Sequence, residues 1–148
     1  NSYFNEDIGS WDVGNVTNFQ NTFLNCSSFN QDLSWNVSNA TAMSGMFSGA
    51  TVFNGDITNW DVGNVRNMSS MFRNTQAFNQ DLSNWNVGNV SNSMSSMFLG
   101  SKFNNSLANW DVGNVTNFFG TFANPGSVFN QDIGGWDVGK GTNFRAMF

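Results

Sequence analysis

The sequence predicts an α/β solenoid: about six coils of 24–26 residues, each with a short parallel β-strand and a short helix or 3-10 turn. Three observations predict it. Trp11, Trp35, Trp60, Trp85, Trp110 and Trp136 recur at spacings of 24, 25, 25, 25 and 26 residues. A Phe-Asn pair opens each period, at Phe4, Phe29, Phe53, Phe78, Phe103 and Phe129. Within each period the apolar spacing changes from two residues to three and four. A fixed period of 20–50 residues marks units that bury their apolar faces only by stacking on their neighbours. Residues 1–148 therefore read as a single repeat solenoid, a segment of a longer or end-to-end stacked array.

The strand is expected at Trp-Asp-Val, where apolar and polar residues alternate as one buried face requires. Stacking would place Val13, Val37, Val62, Val87, Val112 and Val138 in one column of a parallel sheet. The helix is expected next, because Val16, Phe19 and the Thr22-Phe23 pair follow at three and four residues. Thr17, Thr41, Ser91, Thr116 and Thr142 stand where helix N-caps belong, and Arg66 breaks the pattern. Irregular lengths map to bends. Coil two lacks a residue before Trp35, coil four carries an extra Ser93, and coil five gains a residue around Pro125-Gly126.

Composition narrows the function classes. Charged residues are 10% of the chain against a usual quarter, while aromatics are 16%, ample for a core and unlike a disordered chain. Asn fills the polar gap, with 27 residues. The net charge of −5 and five scattered cations (Arg66, Arg73, Lys102, Lys140 and Arg145) exclude a nucleic-acid backbone as partner. No apolar run is long enough for a membrane-inserted helix. There is no His, so the commonest general base and zinc ligand is missing. The single Cys26 forms no internal disulfide and reads as a small core residue. Carboxylates occur only as copies of a repeating position, with no unique catalytic constellation, so the chain reads as no enzyme and as needing no cofactor.

Four polar columns remain. Asn5, Asn30, Asn54, Asn79, Asn104 and Asn130 form one, and Asn15, Asn39, Asn64, Asn89 and Asn114 a second, with Lys140 as the exception. Stacked amides donate and accept along the stack, which reads as structural ladders. The column after Trp is Asp12, Asn36, Asp61, Asn86, Asp111 and Asp137. Like charges one coil apart repel by roughly 1 kcal/mol in water, and alternation with Asn doubles their spacing. That column is expected on an exposed sheet face. The other acidic column, Asp7, Asp32, Asp56, Asp81 and Asp132, with Ser106 between, scarcely alternates and needs neutralising. Backbone amides of a tight turn are the first reading and calcium bridging between coils the second. Among eight Asn-x-Ser/Thr sites, Asn25 lies in the variable bend and is the candidate for a glycan; the rest read mostly as ladder residues.

The pattern F-N-Q-D-[IL]-S-x-W-[DN]-V-[GS]-N-V-T-N-M-x-x-M-F, complete over residues 78–98 apart from the extra Ser93, resembles the repeat of BspA-like leucine-rich-repeat surface proteins. Phe19, Phe118 and Phe144 depart from its first Met, and Thr22 and Thr121 from its second. The resemblance implies a leucine-rich-repeat-like stack, an extracellular or cell-surface location, and a role in adhesion or surface structure without catalytic residues. Two functions are expected on this footing. One is a non-enzymatic structural protein of a surface filament or layer, self-associating end to end because the chain opens and closes inside repeats. The other is an adhesin module that binds a protein or glycan ligand through its repeat face.

Overall fold

The computed structural model describes residues 3–124, 126 and 128–148. Pro125 of the expected bend lies outside them. The described residues stack in coils that begin at the leading phenylalanines, coil 1 at Phe4 and coil 6 at Phe129. The expected α/β class is overturned. Among the described residues there is no helix and no strand, only isolated parallel bridges that run Asn18–Ala42–Asn67–Ser93–Asn117–Asn143, one residue per coil. A leucine-rich-repeat turn, with its strand and helix, is absent from them too.

The segment expected to be helical shows why. The N–H groups of Phe19, Asn21, Phe23 and Asn25 donate out of the coil, to the carbonyls of Ala42, Ser44, Met46 and Ser48 at 2.8–3.1 Å. The intervening Thr22, Leu24 and Cys26 fold their N–H groups back to the residue three earlier. Coil 2 repeats this, with Met43, Gly45, Phe47 and Gly49 donating to Asn67, Ser69, Met71 and Arg73. An α-helix keeps every interior N–H for itself; here alternate residues give theirs to the neighbouring coil. The backbone permits it because it turns left-handed at intervals of four residues: Asn21 and Asn25, Gly45 and Gly49, Ser70 and Asn74, Ser96 and Gly100. No right-handed helix continues through such residues. The three-to-four spacing of Val16, Phe19 and Phe23 thus arises from consecutive turns.

The Thr residues expected as N-caps have another task. Thr41 donates both its N–H and its hydroxyl to the carbonyl of Thr17, and Thr142 repeats both bonds to Thr116. In coil 4 the bridge puts Ser93 in register with Asn67, and Asn92 donates to Arg66. The inserted residue is therefore Ser91, not Ser93.

The Trp-Asp-Val segment is a corner rather than a strand. Turns bond Trp11 to Ile8 and Val16 to Val13, and a third bonds Phe29 to Cys26. Coil 2 lacks the first of these bonds, as its missing residue requires. Side chains supply the inter-coil bonds that strand amides would have made. Trp35, Trp60, Trp85, Trp110 and Trp136 each donate the indole Nε1–H to a carbonyl of the preceding coil, from Ile8 to Leu107, at 2.8–3.3 Å.

The core is a set of ring columns. Phe4, Phe29, Phe53, Phe78, Phe103 and Phe129 stack with centroids 5.8–6.4 Å apart. Phe23, Phe47, Phe72, Phe98, Phe122 and Phe148 form a second file at 5.3–5.9 Å. Burying such a side chain is worth about 2–3 kcal/mol.

Gly49 tests the left-handed positions. Its φ is +75°, and an added Cβ would collide with Oδ1 of Asn25, which leans over it. Gly49→Ala should cost about 1–2 kcal/mol, the ordinary penalty of a left-handed L-residue, with any unrelieved clash adding to it. Gly14, whose φ is unexceptional and whose nearest neighbours are the flexible Asp12 and Asn36 side chains, should accept Ala at a smaller cost. Urea denaturation of both variants checks the order.

Candidate interaction surface

Both acidic columns fold onto their own backbones. In the first, Oδ1 of Asp7, Asp56, Asp81 and Asp132 accepts the N–H two residues on, from Gly9, Thr58, Ser83 and Gly134, each at 2.9 Å. The Thr58 hydroxyl adds a bond of 2.7 Å to Asp56. Asp32 instead accepts the N–H of Asp56 at 2.8 Å. These backbone bonds, with the Thr58 and Ser83 side chains second, hold the Asp56 and Asp81 carboxyls below the usual carboxylate range. For calcium, no three His, Cys, Asp or Glu side chains among the described residues lie together in a way that could hold a metal ion.

The second column, Asp12, Asn36, Asp61, Asn86, Asp111 and Asp137, is exposed throughout. It lies at a corner of each coil and not on a sheet face, since there is no sheet. Each member accepts the N–H two residues on, at 3.0–3.2 Å, from Gly14, Ser38, Gly63, Gly88, Gly113 and Gly139. Asp and Asn make this bond equally well, so the turn tolerates either and charge spacing is free to vary.

The Asn columns hydrogen-bond along the stack in two different ways. Oδ1 of Asn5, Asn30, Asn54, Asn79 and Asn104 accepts the backbone N–H of the next coil's Asn at 2.7–2.9 Å. In the other column, Nδ2 of Asn39, Asn64, Asn89 and Asn114 donates to the carbonyls of Gly14, Ser38, Gly63 and Gly88. Lys140 takes the last place, its Nζ 2.6 Å from Oδ1 of Asn114. Asn25, the glycan candidate, is exposed, but its side chain lies against Gly49 and its N–H donates to Ser48. Cys26 is buried and free.

Sequence reasoning missed the left-handed columns. Their signal is the alternation Asn25, Gly49, Asn74, Gly100, the residue types that tolerate positive φ. Each Asn leans over the next coil's Gly.

Two surfaces break the uniform pattern. Beside coil 2, where the residue is missing, a shallow polar notch opens between Asp32, Ser34, Asn36 and Asn59, floored by Trp35 and Trp60. In coil 1 the Trp file comes to the surface and in coil 6 the second Phe file does, while Phe23 and Trp136 stay buried. Trp11 is 60% exposed against 6% for Trp35, and Phe148 is 71% exposed against 2% for Phe122.

A family model described as "Mycoplasma protein of unknown function, DUF285" matches residues 1–102 and 92–148. The chain belongs to the DUF285 family. No curated protein and no solved structure matches it significantly. The family description carries no role and lends no support to the leucine-rich-repeat, BspA-like or adhesion labels, and the turn-built coils of this DUF285 protein remove the structural ground for the first. No described helix is long and apolar enough to cross a membrane.

The Asx turns make a pH-dependent prediction. A carboxyl whose pKa is depressed in the folded state stabilises fully above its unfolded value, near 4, and loses that contribution as pH falls through the folded value. Stability should fall in acid as Asp56 and Asp81 protonate. Asp56→Asn keeps the acceptor for Thr58 and should be near neutral at pH 7, whereas Asp56→Ala should lose about 1 kcal/mol. Denaturant titrations at pH 7 and pH 3 check this, with Asp56→Asn losing less in acid than the parent chain.

Proposed function

We propose that this DUF285 chain is a non-catalytic structural element that lengthens by coil-on-coil stacking, as part of a filament or layer. The observation that carries the reading is the likeness of the end faces to the internal ones. Coil 1 exposes Trp11, with half-buried Phe4 beside it, at an apolar groove also lined by the buried Ile8, Phe23 and Cys26. Coil 6 presents Phe144 and Phe148. These are the side chains that every internal coil buries against a neighbour. Such faces accept another coil of the same kind, from the same polypeptide or from a second one. A lack of His and a carboxylate set tied up in turns favour the non-catalytic reading.

Light scattering across concentration tests it. The 148-residue polypeptide should grow in mass with concentration, and electron micrographs should show rods. Trp11→Lys, at the centre of the coil 1 face, should weaken association by roughly thirtyfold or more, the usual effect of removing a buried aromatic anchor. Phe119→Lys, exposed on the side of the stack, should leave association unchanged. A strictly monomeric chain at millimolar concentration would remove the reading.

A further inference from the structure

The coil that lacks a residue carries a feature that the other coils do not. The geometry points to the notch between coils 2 and 3 as a binding site for a sugar unit of a neutral glycan. The site lies inside the array and does not rest on stacking between copies.

The missing residue leaves polar groups unused. In the other five coils the Trp N–H closes a turn onto the carbonyl three residues earlier, at 3.0–3.2 Å. Coil 2 reaches Trp35 one residue early, and the Trp35 N–H has no partner among the described residues. In most coils the column Asp accepts the N–H two residues on, as Asp56 does from Thr58 and Asp81 from Ser83. Asp32 instead gives its Oδ1 to the Asp56 N–H, and the Ser34 N–H is left without a partner among the described residues. The Ser34 hydroxyl and the Asn59 amide are unpartnered there as well. The two Asn columns that bond along the stack show how unlike the rest of the chain this is.

These groups line one recess of about 350 Å³, together with the carboxylates of Asp32 and Asp56. That is the small end of the range for small-molecule sites, about 300–1,000 Å³. Trp35 and Trp60 form the floor, with only their edges exposed. The mixture of groups selects the ligand. Asp32 and Asp56 repel an anion. No three metal-ligating side chains lie together among the described residues. An ammonium ion could sit by the carboxylates but has no acceptor for the Ser34 and Trp35 N–H groups. The neighbouring hydroxyls of a pyranose serve both sets. Each oxygen accepts an N–H, and each O–H donates to a carboxylate, a charge-assisted bond. The C–H face of the ring suits the indole edges. A second recess of about 320 Å³ adjoins through Asn59 and Trp60 and reaches Asn84 and Asn86. A linked chain therefore has room to run on along the stack, and the unit held belongs to a chain interior.

Saturation-transfer NMR tests the site, because it reads the ligand and tolerates protein assemblies of any length. The 148-residue chain is mixed with the methyl pyranosides of glucose, galactose, mannose and N-acetylglucosamine. Each is raised to about 50 mM, well above the roughly millimolar affinity of so open a site. At least one should bind saturably. Inserting Asn between Ser34 and Trp35 gives coil 2 the complete corner of coils 3 and 4, closes the notch and should abolish the signal. Asp32→Asn keeps the acceptor for the Asp56 N–H and should weaken binding roughly tenfold, the effect of losing one charge-assisted bond. Asp81→Asn, in the same column at a complete corner, should leave it unchanged. A 1,4-linked trisaccharide of the binding sugar should bind more tightly than its methyl pyranoside; equal affinity overturns the chain interior and makes a chain end the source. No saturable binding by any of the four, or binding that survives the insertion, overturns the site. Binding of methylammonium where no pyranoside binds makes the notch a cation site and overturns the sugar assignment.

Discussion

Everything in this fold follows from the direction of the backbone amides between residues 18 and 26 and their counterparts. Alternate residues send N–H groups to the following coil and the residues between fold theirs back by three. This gives a ladder with strand-like spacing in a chain that is turning like a helix. Neither regular element forms, yet the amides of residues 19 and 21–26 each find a carbonyl, as burial demands. The outward bonds of Phe19, Asn21, Phe23, Asn25 and their counterparts all run the same way along the chain, so this ladder is polar, and the bonds from Thr41 and Thr142 run back to the preceding coil. One coil alone would leave these amides and its rings to water, so stability is shared between neighbours as in other repeat arrays.

The unusual composition is what such a fold requires. Where the chain turns corners it has no strand amides to spare, and side chains take over the bonding between coils. Asn does this in three ways: as acceptor for the next coil's N–H, as donor to the previous coil's carbonyl, and as a left-handed residue leaning on a Gly. Trp adds its indole N–H, buried with the carbonyl it meets. Asp closes local turns and stays charged at the surface. No buried side-chain nitrogen or oxygen among the described residues is left unpaired. The Asp side chains of both columns are therefore local fasteners.

What the sequence disclosed was translation along the stack; what it concealed was conformation within a coil. The period, the leading Phe file and the Asn columns are visible because each coil must repeat the chemistry of its neighbour. The helix expected from Val16, Phe19 and Phe23 failed because apolar spacing records which side chains point inward and not where each amide goes. Consecutive turns with a left-handed residue every four positions put Phe19 and Phe23 on one face just as a helix would. The strand expected at Trp11–Val13 failed because Asp12 bonds to Gly14 and bends the chain. A closer clue was present in Asn25, Gly49, Asn74 and Gly100, a file of residues with no apolar role and a shared tolerance of positive φ.

Scalar couplings through hydrogen bonds test the polar ladder most directly, because they name the acceptor of each amide. In labelled protein, the Phe47 amide nitrogen should couple to the carbonyl carbon of Met71, one coil ahead, and that of Gly49 to Arg73. Coupling of Phe47 to Met43, four residues back, would mean that the segment is a helix and that these coils are held together in some other way.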